Sequence, residues 1–336
     1  MQQRGNQRPV TLSDIAKATG YSRFTAGHVL KGTKPFPEST CRKILAAAKR
    51  LGYRPNASAT AMRYGRFQAV GLLTDQNILR SSLPERLLHG ILARLDALQH
   101  HLIVARFPEA EATGSQPRSL SHLMVDGLLL NFHSEFPEGL LTWLAGSPFP
   151  LVRINQPSGK DTIRPDDARD ARTLTEGMIR SGHRRIAFYC AHYHVHLSLT
   201  RHFSVDLRLQ GYRQAIDAAG LERFEILDHL PESIPESLAA ILKPPRSCTA
   251  MVCYSGLNEM ALAALAHGMR LPQDLLLAGI GELNTDSYFL REQIGYMTIN
   301  WELIGTTAVD LLFARINGAP PQPCRLVPGT LTMPKA

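Results

Sequence analysis

A chain of 336 residues exceeds one small domain and predicts two or three folded units, at roughly 100–200 residues each. With 44% hydrophobic and 20% charged residues it can bury sizeable cores, and no run of about 18 apolar residues indicates a membrane span. Residues 1–67 carry 13 Lys and Arg against two acidic residues, Asp14 and Glu38, whereas residues 68–336 carry 24 against 27, so the net +8 sits at one end and points to a polyanion contacted there.

The opening MQQRGNQRPV is basic but leads into no apolar stretch, so a secretory signal is not expected and the cytoplasm is the default location. The five cysteines, Cys41, Cys190, Cys248, Cys253 and Cys324, form no CxxC pair, which argues against a disulfide framework or a zinc finger.

Three short helices follow in chain order. Thr11 caps the first, with Asp14 completing a capping box; Leu12, Ile15, Ala16 and Ala18 supply its apolar positions and Gly20 its stop. Ser22 caps the second, which runs to about Leu30 and packs through Ala26, Val29 and Leu30. Gly32, Pro35 and Pro37 mark a loop. The third spans about Glu38 to Leu51, with Ile44, Leu45, Ala48 and Leu51 as its inward stripe and Gly52 at its end. Two short helices joined by Gly20-Tyr21-Ser22 make a helix-turn-helix, whose second helix enters the major groove of DNA. Arg23 suits bidentate donation to guanine, His28 a base or a phosphate, and Phe24 a thymine methyl or a stacking contact. The alternative makes Arg23 and His28 a solvated face and Phe24 a core residue.

Pro55 to Arg63 reads as a short helix with Asn56 as its cap. From Gln68 onward, short apolar runs near 69–73, 101–105, 125–130, 150–154, 185–189, 250–253 and 275–279 alternate with longer amphipathic segments. That alternation predicts parallel sheets covered on both faces by helices, with ligands bound outside the carboxyl ends of the strands.

Residues 10–63 resemble the headpiece of the LacI/GalR family of bacterial repressors. The resemblance rests on Val10, Thr11, Leu12, Asp14, Ile15 and Ala16, on Gly20, Ser22, Thr25, Val29 and Leu30, and on Leu51-Gly52-Tyr53 with Pro55-Asn56. It continues more weakly through Val125-Asp126-Gly127, residues 180–187, Arg208 to Tyr212, residues 268–272 and Gly305 to Leu312. It implies an all-α helix-turn-helix headpiece (1–54), a hinge helix and linker (55–67), and an α/β type I periplasmic-binding-protein-like domain of two lobes (68–336). The first lobe would hold residues 69–161 with a return near 294–319, and the second most of 162–292. It implies a homodimer, or a tetramer, repressing from pseudo-palindromic operator DNA under control of a small-molecule effector in the inter-lobe cleft, a sugar or related metabolite. Helices 84–99 and 302–316 would supply the dimer face.

The DNA-contacting positions carried over are Thr11, Ser22, Arg23, Phe24, Thr25, His28, Tyr53, Asn56, Met62 and Arg63, with Met62 standing where the family places a leucine wedge in the minor groove. Departures are Ala26-Gly27 for the family's Val-Ser and Thr60 for its hinge arginine. For the effector, Arg208 matches an arginine of the cleft, whose alternative role is a salt bridge within the second lobe. Ser255-Gly256 replaces Asn-Asp, and Gly279-Ile280-Gly281-Glu282 replaces Gly-Phe-Asp-Asp. Asp75, Gln76, Ser82, Ser255 and Glu282 are further effector candidates by position.

Cys190, His192, His194, His196 and His202 form a histidine-rich stretch of a kind that can hold zinc or copper. Without a carboxylate or second cysteine at metal-site spacing, it is expected to be a polar loop, and no metal or cofactor is called for. No phosphate loop, nucleophile elbow or paired catalytic motif is present, so a binding protein rather than an enzyme is expected.

Overall fold

The structure, a computed structural model, describes residues 10–54, 65–75, 83–107, 124–132, 136, 138–146, 149–190, 202–227, 248–281 and 288–334. The chain divides into two compact units, Met1–Phe67 and Gln68–Ala336.

The first unit holds α1 (Leu12–Thr19), α2 (Arg23–Lys31) and α3 (Glu38–Leu51). The capping box at α1 forms as its residue types require: Thr11 N–H donates to Asp14 Oδ2 at 2.9 Å, and Asp14 N–H to Thr11 Oγ1 at 3.4 Å. Each helix ends on a glycine in the left-handed region, Gly20, Gly32 and Gly52. Ile15, Ala26, Val29, Ile44 and Ala48 form the core, edged by Tyr21, Leu30 and Tyr53. The inward stripe of α3 differs from expectation: Thr40, Ile44, Ala47 and Ala48 are buried, while Leu45 and Leu51 are exposed. Thr40, Ala47 and Ala48 lie three or four positions from Ile44 and share its inward face, whereas Leu45, about 100° further round the helix, falls on the solvent side.

The second unit carries two six-stranded sheets. The first contains β1 (Ala69–Asp75), β2 (His101–Phe107), β3 (Gly127–Asn131), β4 (Leu151–Ile154), β5 (Thr162–Pro165) and β11 (Arg325–Val327), all parallel, in the order β11-β5-β4-β3-β1-β2. The second contains β6 (Ile186–Cys190), β7 (Phe224–Leu227), β8 (Ala250–Cys253), β9 (Leu276–Ile280), β10 (Gly295–Thr298) and β12 (Thr330–Thr332), in the order β12-β10-β9-β8-β6-β7, with β12 alone antiparallel. Helices α4 (Glu85–Ala97), α5 (Glu138–Gly146) and α10 (Trp301–Ile316) cover the first sheet. Helices α6 (Asp167–Arg180), α7 (Ser204–Ala218) and α8 (Leu257–Ala266) cover the second, and α9 (Tyr288–Arg291) is a short turn. Strand periodicity sorts the side chains to opposite faces: Ile186, Phe188, Val252 and Ala278 meet α6 and α7, whereas Ala187, Tyr189, Met251 and Leu277 meet α8.

The predicted strand runs are all present, but the lobe boundaries need correction. β5 belongs to the first sheet, so the second lobe begins at α6 rather than at 162; β10 belongs to the second sheet, so the return to the first lobe begins near Ile299 rather than 294. β11 and β12 add a further exchange. These strands of three or four residues carry no period of their own; pairing with a neighbour already in place defines them.

Where the crossings meet, Asp166 N–H donates to Val327 O at 3.0 Å and Asn300 Nδ2 to Pro328 O at 2.7 Å. Gly329 N–H donates to both Asp170 oxygens, at 2.9 and 3.0 Å. A Cβ at Gly329 would lie 2.8 Å from Asp170 Oδ2 and from Thr298 O, so only glycine allows this approach. Burial, reinforced by Asp166 and Asp167 and only partly offset by the Gly329 N–H, pushes the Asp170 carboxyl up to about 6. Its folded pKa exceeds the unfolded one, so the folded state binds the extra proton between about pH 4 and 6, and stability rises as pH falls through that window. The contribution is roughly 3 kcal/mol at most. Asp170→Asn keeps an acceptor for Gly329 without a charge to desolvate. It is expected to stabilise the protein at pH 7, with the gain shrinking by pH 5; equal gains at both pH values in urea denaturation would contradict this.

Candidate nucleic-acid interface and effector pocket

The exposed face of α2 follows from its cap. Ser22 Oγ accepts from Thr25 N–H at 3.0 Å and lies 2.9 Å from Thr25 Oγ1, which starts the helix at Arg23. Ala26 and Val29 turn inward, leaving Arg23 and Phe24 exposed in the first turn and His28 half-buried beside them. No acidic residue sits in that turn, so the positive end of the helix is not neutralised. Phe24, 57% exposed, is not part of the core. Its ring meets the His28 ring at a centroid distance of 4.3 Å and an angle of 63°, with Lys34 Nζ 4.9 Å from its centroid. His28 Nδ1 lies 2.7 Å from Thr33 Oγ1. Thr11 is exposed at the start of α1 with its hydroxyl donating to Asp14 at 2.7 Å, and Tyr53 is half-buried against the core, which raises its hydroxyl pKa.

In the second unit a pocket of ≈ 230 Å³ opens at the carboxyl ends of β8 and β9, lined by residues that include Tyr254, Ser255, Asn258, Ile280 and Tyr296. Arg208, from α7, sits beside it. Its Nε donates to Asp167 Oδ1 at 2.8 Å, its NH1 donates to Ile280 O at 3.1 Å, and its guanidinium lies 5.1 Å from the Tyr254 ring centroid. The Asp167 side chain is 1% exposed and that of Arg208 12%. Burial raises the Asp167 pKa, and the Arg208 charge and hydrogen bond hold it back. Among the described residues Asp167 Oδ2 and Arg164 Nε are buried without a hydrogen-bond partner. From the first lobe, Asn155 brings its side-chain amide 3.3 Å from His202 Nε2; His202 Nδ1 lies 2.7 Å from Ser204 Oγ, which is 3.2 Å from the Tyr254 hydroxyl. One polar chain thus links the two lobes with the pocket wall.

Residues 11–56 match the family described as bacterial regulatory proteins, lacI family, and residues 175–333 match a periplasmic binding protein-like domain. The chain is 28% identical over 340 residues to the HTH-type transcriptional regulator CelR of Thermobifida fusca, covering 96% of each. It is 27% identical over 322 residues to the HTH-type transcriptional repressor PurR of Photobacterium profundum, covering 91% of this chain and 92% of that one. The chain is a DNA-binding transcription regulator that joins a lacI-family DNA-binding domain to a periplasmic binding protein-like domain. Its fold matches that of the lac repressor dimer bound to operator and the anti-inducer ONPF, with a TM-score of 0.76 at 22% identity over 97% of this chain and 98% of that one. A CelR–cellobiose complex gives a TM-score of 0.63 at 24% identity over 96% and 98%.

In this regulator, six of the residues singled out from sequence, Asn56, Met62, Arg63, Gln76, Ser82 and Glu282, lie outside the described residues, as do His192, His194 and His196. Ser22, Arg23, Phe24, Thr25 and His28 come together on one face of the helix-turn-helix. Arg208 and Ser255 come together through Tyr254 and Ile280, whereas Asp75 ends β1 in the other lobe and does not line the pocket. Arg208 forms the salt bridge of its alternative reading. Lys34, Asn155, Asp167 and Tyr254 escape sequence reasoning, and His202 enters it only as part of the histidine-rich stretch. Asp167 is the first residue of α6 and its partner lies 41 positions away, so no local signal joins them. No helix of the described residues is long and apolar enough to cross a membrane.

Proposed function

We propose that this regulator binds a pseudo-palindromic operator as a homodimer in the cytoplasm, represses from it, and responds to a small polar effector held between the lobes. The observation that carries the DNA reading is the uncovered first turn of α2, with Arg23 and Phe24 exposed on a capped, anchored helix. Such a turn presents a guanidinium fork to a guanine edge while the helix end faces phosphate. The Asn155–His202–Ser204–Tyr254 chain and the buried Arg208–Asp167 pair support an effector that changes how the lobes close, and so which state of the regulator is populated. The unpartnered Asp167 oxygen favours a ligand that donates a hydroxyl hydrogen, as a sugar does.

Selection of preferred sites from a random DNA library, followed by gel shifts at several salt concentrations, tests the reading; no preferred site at any salt would defeat it. Arg23→Ala is expected to relax preference at one base position per half-site, by about 1–3 kcal/mol of discrimination. An equal loss of affinity for every sequence would instead make Arg23 a phosphate contact. A thermal-shift screen over mono- and disaccharides tests the effector class.

A further inference from the structure

We infer that Phe24 reads the 5-methyl group of a thymine in each operator half-site, an inference that rests on the regulator reading above and specifies what its helix recognises. Phe24 is an apolar ring left 57% exposed in the first turn of α2, outside a core that takes Ala26 and Val29 from the same helix. Covering that apolar surface with an apolar group of a partner is favourable. The ring is also restrained. The His28 ring meets it at 4.3 Å, Lys34 Nζ stands 4.9 Å from its centroid, and His28 is itself tied to Thr33 at 2.7 Å. A cation and an imidazole thus flank the ring and narrow the rotamer freedom that binding would remove.

The chemistry of the groove then selects the target. Base edges in the major groove offer donors and acceptors, which a phenyl ring cannot read, and one apolar group, the thymine methyl. Lys34, beside the ring, adds a charge on the same face for a flanking phosphate. Phe24 therefore discriminates by methyl contact, while Arg23, its neighbour in the helix, discriminates by hydrogen bonding.

The test uses the full-length protein and a site selected from random DNA. Each thymine of that site is replaced singly by deoxyuridine, which removes the methyl and leaves base pairing intact. One symmetry-related pair of positions is expected to weaken binding by about three- to tenfold, a size suited to one buried methyl per half-site. In Phe24→Ala that sensitivity should vanish; in Phe24→Leu, which keeps an apolar contact, part of it should remain. Phe24 lies outside the core, so circular dichroism melting of Phe24→Ala is expected to match the parent and to exclude misfolding. Indifference to deoxyuridine at every position, or a loss that persists unchanged in Phe24→Ala, overturns the inference while leaving the regulator reading intact. Failure to select any site overturns both.

Discussion

Gly211→Ala is expected to destabilise the second unit by up to about 2 kcal/mol, although alanine is the better helix former. Gly211 lies in α7 where that helix crosses α6. A Cβ there would stand 2.1 Å from Ala168 O and 2.9 Å from Arg172 N, both backbone atoms of α6 that no rotamer change can move aside. The helices would have to separate, opening the layer in which Leu209, Tyr212 and Ile216 pack against β6 and β8. Overpacking of this kind costs about 3 kcal/mol or somewhat less, against roughly 1 kcal/mol gained in helix propensity, so the steric effect wins. Gly27→Ala in α2 provides the contrast. The nearest atom to its added Cβ is Leu12 Cδ1 at 3.7 Å, an ordinary contact, so propensity decides and the first unit should gain about 0.5–1 kcal/mol. The two units are expected to give separate transitions in urea, and opposite shifts of the two midpoints check both signs together. An unchanged second transition in Gly211→Ala would mean that the helices yield more easily than their packing suggests.

Arg208→Met is expected to cost about 3 kcal/mol at pH 7, because it leaves the Asp167 carboxylate buried and unpaired with its side chain 1% exposed. The sign of the pH dependence follows from the same pair. Burial already raises the Asp167 pKa, and Arg208 is the largest influence lowering it. Without Arg208 the folded-state pKa rises further above the unfolded value, so the folded variant takes up a proton first as pH falls and its deficit shrinks between pH 7 and 5. Asp167→Asn in the Arg208→Met background should recover much of the loss at pH 7. Denaturation of the single and double variants at both pH values checks this; a deficit that neither acid nor Asp167→Asn relieves would show that Arg208 acts through packing on Tyr254 instead. Arg208→Met should also abolish the effector response, since the guanidinium joins Asp167, Tyr254 and Ile280 at the pocket edge.

The first unit was legible residue by residue, because its signals are local. A cap, its partner three positions on and a terminal glycine lie within one short helix, and Thr11, Asp14, Ser22, Gly20, Gly32 and Gly52 all act where their types predict. The face of α3 was less legible: helical periodicity allows Leu45 or Ala47 inward, and packing against α1 and α2 selects Ala47. Phe24 was ambiguous for the same reason. An isolated aromatic suits a core or a reading face equally, and only the packing of Ala26 and Val29 assigns it to the surface.

In the second unit the apolar runs alone indicate alternating strands and helices and parallel sheets, since fully buried parallel strands read as continuous apolar runs, whereas the division into two lobes rests on the family resemblance. Tertiary structure alone decided which sheet receives β5, β10, β11 and β12, because strands of three or four residues borrow their definition from the neighbour they pair with. It alone decided the pocket edge as well. Arg208 meets Asp167 across 41 positions and Asn155 meets His202 across 47, separations at which neither spacing nor composition carries information. Those contacts exist because the packing of the two sheets brings chain-distant polar groups together at the ends of their strands.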